Sequence, residues 1–357
     1  MADASGAGAP RGRVLLAFAA IYIIWGSTYL AILYAIQTIP PFLMAGVRFV
    51  VAGGILYVWA WLRGAPRPEP AHWLSAAVIG GLLLLGGNGS VVWAQQRVAS
   101  GLAALLVATV PMWMVLLDWL RPGGVRPGPR TAVGIVIGLL GLAVLVGPDQ
   151  LMGSGRVDGQ GALVLVLGSM CWAAGSLYAR TAKLPASPMQ SIALEMLAGG
   201  ALLLLAGVLA GEPARLDLGA VSLRSVLGLG YLIVFGSLIG FSAYIWLLSV
   251  STPAKVSTYA YVNPVVAVLL GWAVAGEPLT PRMLAAAAII IAAVAVITTR
   301  RAARGRPAME RPETACARVP TDAADAPGAQ AVDRAPDKGT ARAMGPAGHP
   351  TTDPTTA

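Results

Sequence analysis

Cysteine, histidine, lysine and charge of either sign are all scarce in this chain. Its two cysteines, Cys171 inside an apolar run and Cys316 in the polar C-terminal region, make no disulfide framework. The two histidines, His72 and His349, lie far apart without metal-ligand spacing, so no metal site is implied. Nor is a cofactor. The lysines are Lys183, Lys255 and Lys338, and none follows glycine and precedes Ser or Thr as a phosphate-cradling loop requires. ATP hydrolysis by that route is excluded, and a gradient must supply the energy for any transport. Charged residues make up 11% of the chain, against roughly 25% in a soluble domain. A water-soluble globular fold is therefore excluded.

What is present is apolar sequence, 57% of 357 residues. It falls into ten runs, 14–36, 42–62, 73–95, 101–120, 131–147, 161–181, 189–210, 223–249, 255–275 and 282–299. A helix rising 1.5 Å per residue crosses a bilayer core about 30 Å thick in ~20 residues and satisfies its own backbone there. Pro40-Pro41, Arg121 to Gly124, Pro185 to Pro188, Glu212-Pro213 and Glu277-Pro278 break the runs. The predicted fold is an all-α membrane protein of ten transmembrane helices. Arg11, Arg13 and the apolar residues after them imitate a secretory signal, but the run continues to Ile36 and reads as an uncleaved first span.

The first five runs are echoed by the last five at a spacing of about 150 residues. Trp25 and Gly26-Ser27-Thr28-Tyr29 match Trp172 and Gly175-Ser176-Leu177-Tyr178, and Ala52-Gly53-Gly54 matches Ala198-Gly199-Gly200. Trp93 falls opposite Trp246. Pro111, Val115, Leu116, Leu117 and Trp119 match Pro264, Val268, Leu269, Leu270 and Trp272 at one constant offset. An odd number of crossings per unit turns the second copy upside down. Two inverted five-helix repeats, 14–147 and 161–299, are the architecture of carriers that open alternately to either side.

Positive charge near the spans gives the orientation. With the N-terminus inside, the cytoplasmic segments hold Arg11, Arg13, Arg63, Arg67, Arg121, Arg126, Arg130, Arg180, Lys183, Lys255, Arg300, Arg301, Arg304 and Arg306. The other side holds Arg97, Arg156, Arg215, Arg224 and Arg282. Both termini are predicted to be cytoplasmic, as a 1–13 tail and a 303–357 tail too poor in large apolar residues to order. The net charge of +9 follows from these flanks, not from an aromatic-interleaved patch for nucleic acid.

Candidate site residues are polar groups at membrane depth. Arg48 in the second span and Glu195 at the mirrored depth of the seventh each cost at least ~2.5 kcal/mol to insert. Arg48 suits a substrate carboxylate or phosphate, and Glu195 an amine or a coupling proton. Alternatively Arg48 snorkels, or pairs with Glu195 or with backbone carbonyls as a structural clamp. Trp25, Ser27, Thr28, Tyr29, Trp172, Ser176, Tyr178, Tyr259, Tyr261 and Asn263 are candidates to line a mostly apolar pocket. Pro111 and Pro264 each remove a helix hydrogen bond and free a carbonyl, of Val107 and Ala260, predicting paired kinks. Asn88 can bond between helices. Gln95, Gln96, Asp118 and Glu277 sit at span ends, where solvation accounts for them. Gly134, Gly138 and Gly141 permit close helix contact within the monomer or in a homodimer.

Trp25 to Tyr29, Arg48-Phe49, the segment Ser100 to Pro111, and Asn263-Pro264 running on to Gly276-Glu277-Pro278-Leu279-Thr280 together resemble EamA-type members of the drug/metabolite transporter superfamily. The resemblance covers about residues 14–299. It implies a ten-helix secondary carrier of the inner membrane, often an exporter of amino acids, other metabolites or toxic compounds. Arg48, Pro111 and Pro264 match the family's second-helix arginine and its fourth- and ninth-helix prolines. Ala285 to Ala288 depart from its glycine-rich last span.

The expected function is export of a small amphipathic metabolite or amino acid by alternating access, with a small-molecule substrate, the bilayer and a coupling proton as partners. A membrane-embedded lipid-modifying enzyme is the alternative, but it needs clustered acid, base or metal-binding groups that this chain lacks. A membrane sensor or assembly subunit is a third reading. It predicts that activity is lost with the C-terminal tail.

Overall fold

The structure, a computed structural model, describes residues 10–124, 126–146, 158–251, 256 and 259–299. The tail expected to be disordered lies outside these residues. The described residues are helical and contain no strand. The long helices are α1 (Arg11–Ala35), α2 (Pro41–Leu62), α3 (Pro70–Ala94), α4 (Ser100–Leu120), α5 (Pro129–Val146), α6 (Gly159–Tyr178), α7 (Pro188–Leu209), α8 (Leu223–Tyr231 continuing to Val250), α9 (Tyr259–Ala275) and α10 (Pro281–Thr299). Seven of them are long and apolar enough to cross a membrane, and α5, α9 and α10 carry shorter apolar stretches. Arg11 and Arg13 belong to the first turn of α1, so the helix starts three residues before the predicted span.

Local chemistry sets the starts. Proline, whose missing N–H costs nothing in a first turn, opens α2, α3 and α7. Asp158 accepts from Gln160 N and Gly161 N at the head of α6, and Ser222 Oγ accepts from Ser225 N at the head of α8.

Helices α2 and α7 form the spine, and glycines set their separation. A Cβ on Gly46 would stand 2.6 Å from Leu204 Cγ, and one on Gly200 would stand 2.9 Å from Val50 N. Helix α3 joins them at Gly80, where a Cβ would come within 2.6 Å of the Glu195 carbonyl oxygen. Gly138 and Gly141 are used in the same way inside the chain, against Met112, Ile289 and Ile290.

Helix packing respects the duplication. α2 packs on α7, α4 on α9 and α5 on α10; α1 packs on α9 as α6 does on α4, α3 on α7 as α8 does on α2, and α3 on α6 as α8 does on α1. Exchanging helix n for n + 5 leaves these pairings unchanged. Both α3 and α8 widen in the middle into a π-helical segment, Gly81–Asn88 and Leu232–Ile239. Outward faces carry Val51, Ile55, Val58 and Trp59 on α2 and Val133, Val136 and Leu140 on α5. Such continuous apolar surface suits lipid and not water.

The two prolines behave differently. Helix α4 is interrupted at Ala108 and Thr109, and Pro111 lies in the first turn of the segment that follows. The carbonyl that collects donors there is that of Leu106, which accepts from Thr109 Oγ1 at 2.6 Å and Ser169 Oγ at 3.4 Å. Pro264 is carried inside a continuous α9.

Candidate functional site

Arg48 is 4% exposed in the middle of α2. Its Nε donates to Ser237 Oγ at 3.0 Å, its guanidinium lies 4.6 Å from the Phe49 ring centroid, and its Nη1 has no hydrogen-bond partner. The π segment of α8 makes this possible. A Cβ on Gly236 would stand 3.1 Å from Arg48 Nη2 and 3.2 Å from the Thr28 methyl, so glycine leaves the guanidinium its room there. The Gly236 carbonyl accepts from Trp25 Nε1 at 3.2 Å.

Trp25 carries an aromatic cluster away from this point. Its ring centroid lies 5.4 Å from Phe241, 5.3 Å from Tyr244 and 5.0 Å from Tyr259, with Phe241 and Tyr259 edge-on. Asn263, one turn along α9 from Tyr259, has its amide between the carbonyls of Tyr259 and Tyr22, and the amide orientation that turns N–H to them puts it 3.2 Å and 3.3 Å away.

Glu195 occupies the corresponding place on α7. It accepts from Ser191 Oγ at 3.2 Å and lines a cavity walled by Gly80, Leu83, Trp172, Met196 and Phe241. The free volume of about 30 Å³ holds a water or two and no metabolite. Phe241 separates the Glu195 cavity from the Trp25 cluster.

Arg48 and Glu195 do not pair with each other, because Arg48 turns to Ser237 on α8 and Glu195 to Ser191 on its own helix. The clamp between them is thus ruled out for this conformation. The remaining candidates divide. Ser27 Oγ meets Tyr231 Oη at 2.6 Å, and of the two residues Thr28 is the one that lies with Arg48 against Gly236 of α8. Tyr29 lies packed against the core, its carbonyl accepting from Gln95 Nε2 at 2.9 Å. Ser176 bonds back to the Trp172 carbonyl within α6, and Tyr178 is 37% exposed at the end of that helix, apart from the others. The side chain of Tyr261 lies outside the described residues.

Ser237, Gly236 and Phe241 were not among the candidates, although a Gly-Ser pair within an apolar run is a legible signal. Solvation does not account for three span-end residues. Gln95 and Asp118 are 3% and 5% exposed, with Asp118 2.8 Å from Arg121. Glu277 accepts from Ser100 N at 2.7 Å and Gly101 N at 3.1 Å. A lone helix-end carboxylate reads as solvated until another helix start is folded onto it.

Arg48 is thus a buried, partly unpartnered cation, and Trp25 links its neighbour Gly236 to an aromatic cluster. The profile of the EamA-like transporter family matches residues 12–147 and, separately, 159–299. The chain belongs to the EamA-like transporter family. It is similar to the uncharacterized inner membrane transporter YedA of Escherichia coli K12, with 44% identity over 262 residues, 73% of this chain and 82% of that protein. It is also similar to the uncharacterized transporter YvbV of Bacillus subtilis 168, with 24% identity over 284 residues, 77% and 88% of the two chains. A crystal structure 23% identical superposes with a TM-score of 0.55 over 81% of this chain and 98% of the other, a likeness of fold. The resemblance read from the sequence is borne out at the level of family, and the chain is a transporter-family membrane protein.

Proposed function

We propose that the protein is a secondary carrier of the inner membrane, with ten spans in two inverted five-helix repeats and both termini in the cytoplasm. It exports a small amphipathic metabolite that bears an anionic group, such as an amino acid, by alternating access. The carrying observation is the buried Arg48 guanidinium with Nη1 unsatisfied. A charge at that depth is expensive, and an unmade bond from it adds a desolvation cost that an incoming anion removes. Ser237 orients the guanidinium, and Trp25 and Tyr259 offer apolar surface to the rest of the substrate.

Glu195, in its apolar cavity, is the group that exchanges a proton or meets a substrate amine. The repeated family match and the exchange-invariant packing support two equivalent halves rocking about a central site. No chemical step is assigned, because the chain acts as a carrier and not as an enzyme. A second copy of the chain is a candidate neighbour in the bilayer.

The test is counterflow by the purified protein in proteoliposomes, across amino acids, sugar phosphates and cationic drugs, with and without a proton gradient. Exchange of solutes bearing carboxylate or phosphate is expected. Exchange confined to cations without an anionic group, or no exchange of any of the three classes, overturns the proposal.

A further inference from the structure

Four glycines among the described residues have positive φ, Gly64, Gly123, Gly211 and Gly276, and they follow the ends of α2, α4, α7 and α9. Only in the second half is the glycine followed by Glu-Pro, as Gly211-Glu212-Pro213 and Gly276-Glu277-Pro278; the first half has Ala65-Pro66 and Gly124 at those points. The turn therefore forms without a carboxylate. What the carboxylates add is a tie between halves.

Glu212, 1% exposed, accepts from Phe42 N at 3.2 Å and Leu43 N at 2.8 Å at the start of α2. Glu277 holds Ser100 N and Gly101 N at the start of α4 in the same two-donor fashion. These are charge-assisted bonds to unpaired amides at the positive end of a helix. Each carboxylate lies over a glycine of its own preceding helix. A Cβ on Gly207 would stand 3.1 Å from Glu212 Oε2, and one on Gly271 would collide with Glu277.

The same face carries further ties across the halves: Thr38 Oγ1 accepts from Ser222 N at 3.1 Å, Arg97 reaches Gln160 at 3.1 Å, and Arg282 Nε donates to the Val144 carbonyl at 2.7 Å. On the opposite face, among the described residues, the contact equivalent to Glu212 is neutral and single, Gln190 Nε2 to the Pro66 carbonyl at 2.7 Å.

We propose that Glu212 and Glu277 are a two-point latch that holds the carrier shut on the face where α2 and α4 begin, so that the resting protein opens toward the other face. The proposal rests on the alternating-access reading. Breaking the latch moves the equilibrium toward the state open at the clamped face.

The experiment uses the full chain with Cys171 and Cys316 replaced, carrying Ala45→Cys or Ala103→Cys, each fully buried one turn below a clamp. An impermeant maleimide is applied to the clamped face, with a Pro68→Cys chain as control for the other. The Glu212→Gln/Glu277→Gln pair is expected to raise labelling of both buried probes at least about tenfold while Pro68→Cys labelling stays put. Each single glutamine variant, the fallback if the pair does not fold, gives an intermediate rise. Unchanged labelling in folded variants whose probes still respond to a transported solute overturns the latch and leaves alternation standing. Probes that never respond to solute, even without substitution of the glutamates, overturn alternation and the latch with it.

Discussion

Arg48 and Glu195 hold the same place in two 22-residue helices, each the seventh residue after an opening proline, Pro41 or Pro188. Each faces the widened π segment of a neighbouring helix, Arg48 at Gly236 and Ser237 of α8, Glu195 at Leu83 and Leu84 of α3. Two similarly placed niches thus carry a cation in the first half and an acid in the second. π segments are frequent at functional sites, where the extra residue re-aims side chains and frees backbone groups.

Glu195→Gln keeps the size of the side chain and its bond to Ser191 while removing the exchangeable proton. Flux driven by a pH gradient should fall to the level seen without one, with substrate counterflow preserved. Measuring both in the same vesicles checks the assignment, and retained coupling would assign the proton elsewhere.

Gly80 lets α3 meet the α7 backbone. An alanine there would place Cβ 2.6 Å from the Glu195 carbonyl and 2.7 Å from Gly199 N, both main-chain atoms that cannot swing aside. Gly80→Ala should destabilise the protein by about 1–3 kcal/mol, the range for overpacking a close interface. Thermal unfolding in detergent should show a lower midpoint, whereas Gly54→Ala, with open space around it, should leave the midpoint alone.

Cysteines introduced at Pro68 and Pro185, in the loops after α2 and α6, should react with an impermeant reagent only from the cytoplasmic side. Their flanks carry Arg63, Arg67, Arg180 and Lys183, which the charge bias retains inside. Labelling from outside would reverse the orientation.

The helices were legible because runs of about twenty apolar residues bounded by Pro and Gly have few other solutions in a bilayer. Arg48 and Glu195 stood out for the same reason, as charges within such runs. Which faces they present was not legible. These helices are apolar almost all round, so the periodicity that marks a buried side in a soluble helix is weak here, and Tyr178 could be grouped with Trp172 although it ends up at the surface. The π segments and the Glu212 clamp depend on tertiary packing. Glu212 beside Pro213 looks like a solvated loop until the first amides of α2 are brought onto it.

Arg48 bears the central claim, and flux through proteoliposomes containing Arg48→Ala, Arg48→Lys and unaltered protein tests it most directly. The account predicts that kcat/KM for an anion-bearing substrate falls by about 100-fold or more in Arg48→Ala with expression and folding intact. Arg48→Lys, which keeps the charge but loses the planar fork held by Ser237, should fall by roughly tenfold. Flux through Arg48→Ala equal to that of the unaltered protein would contradict it.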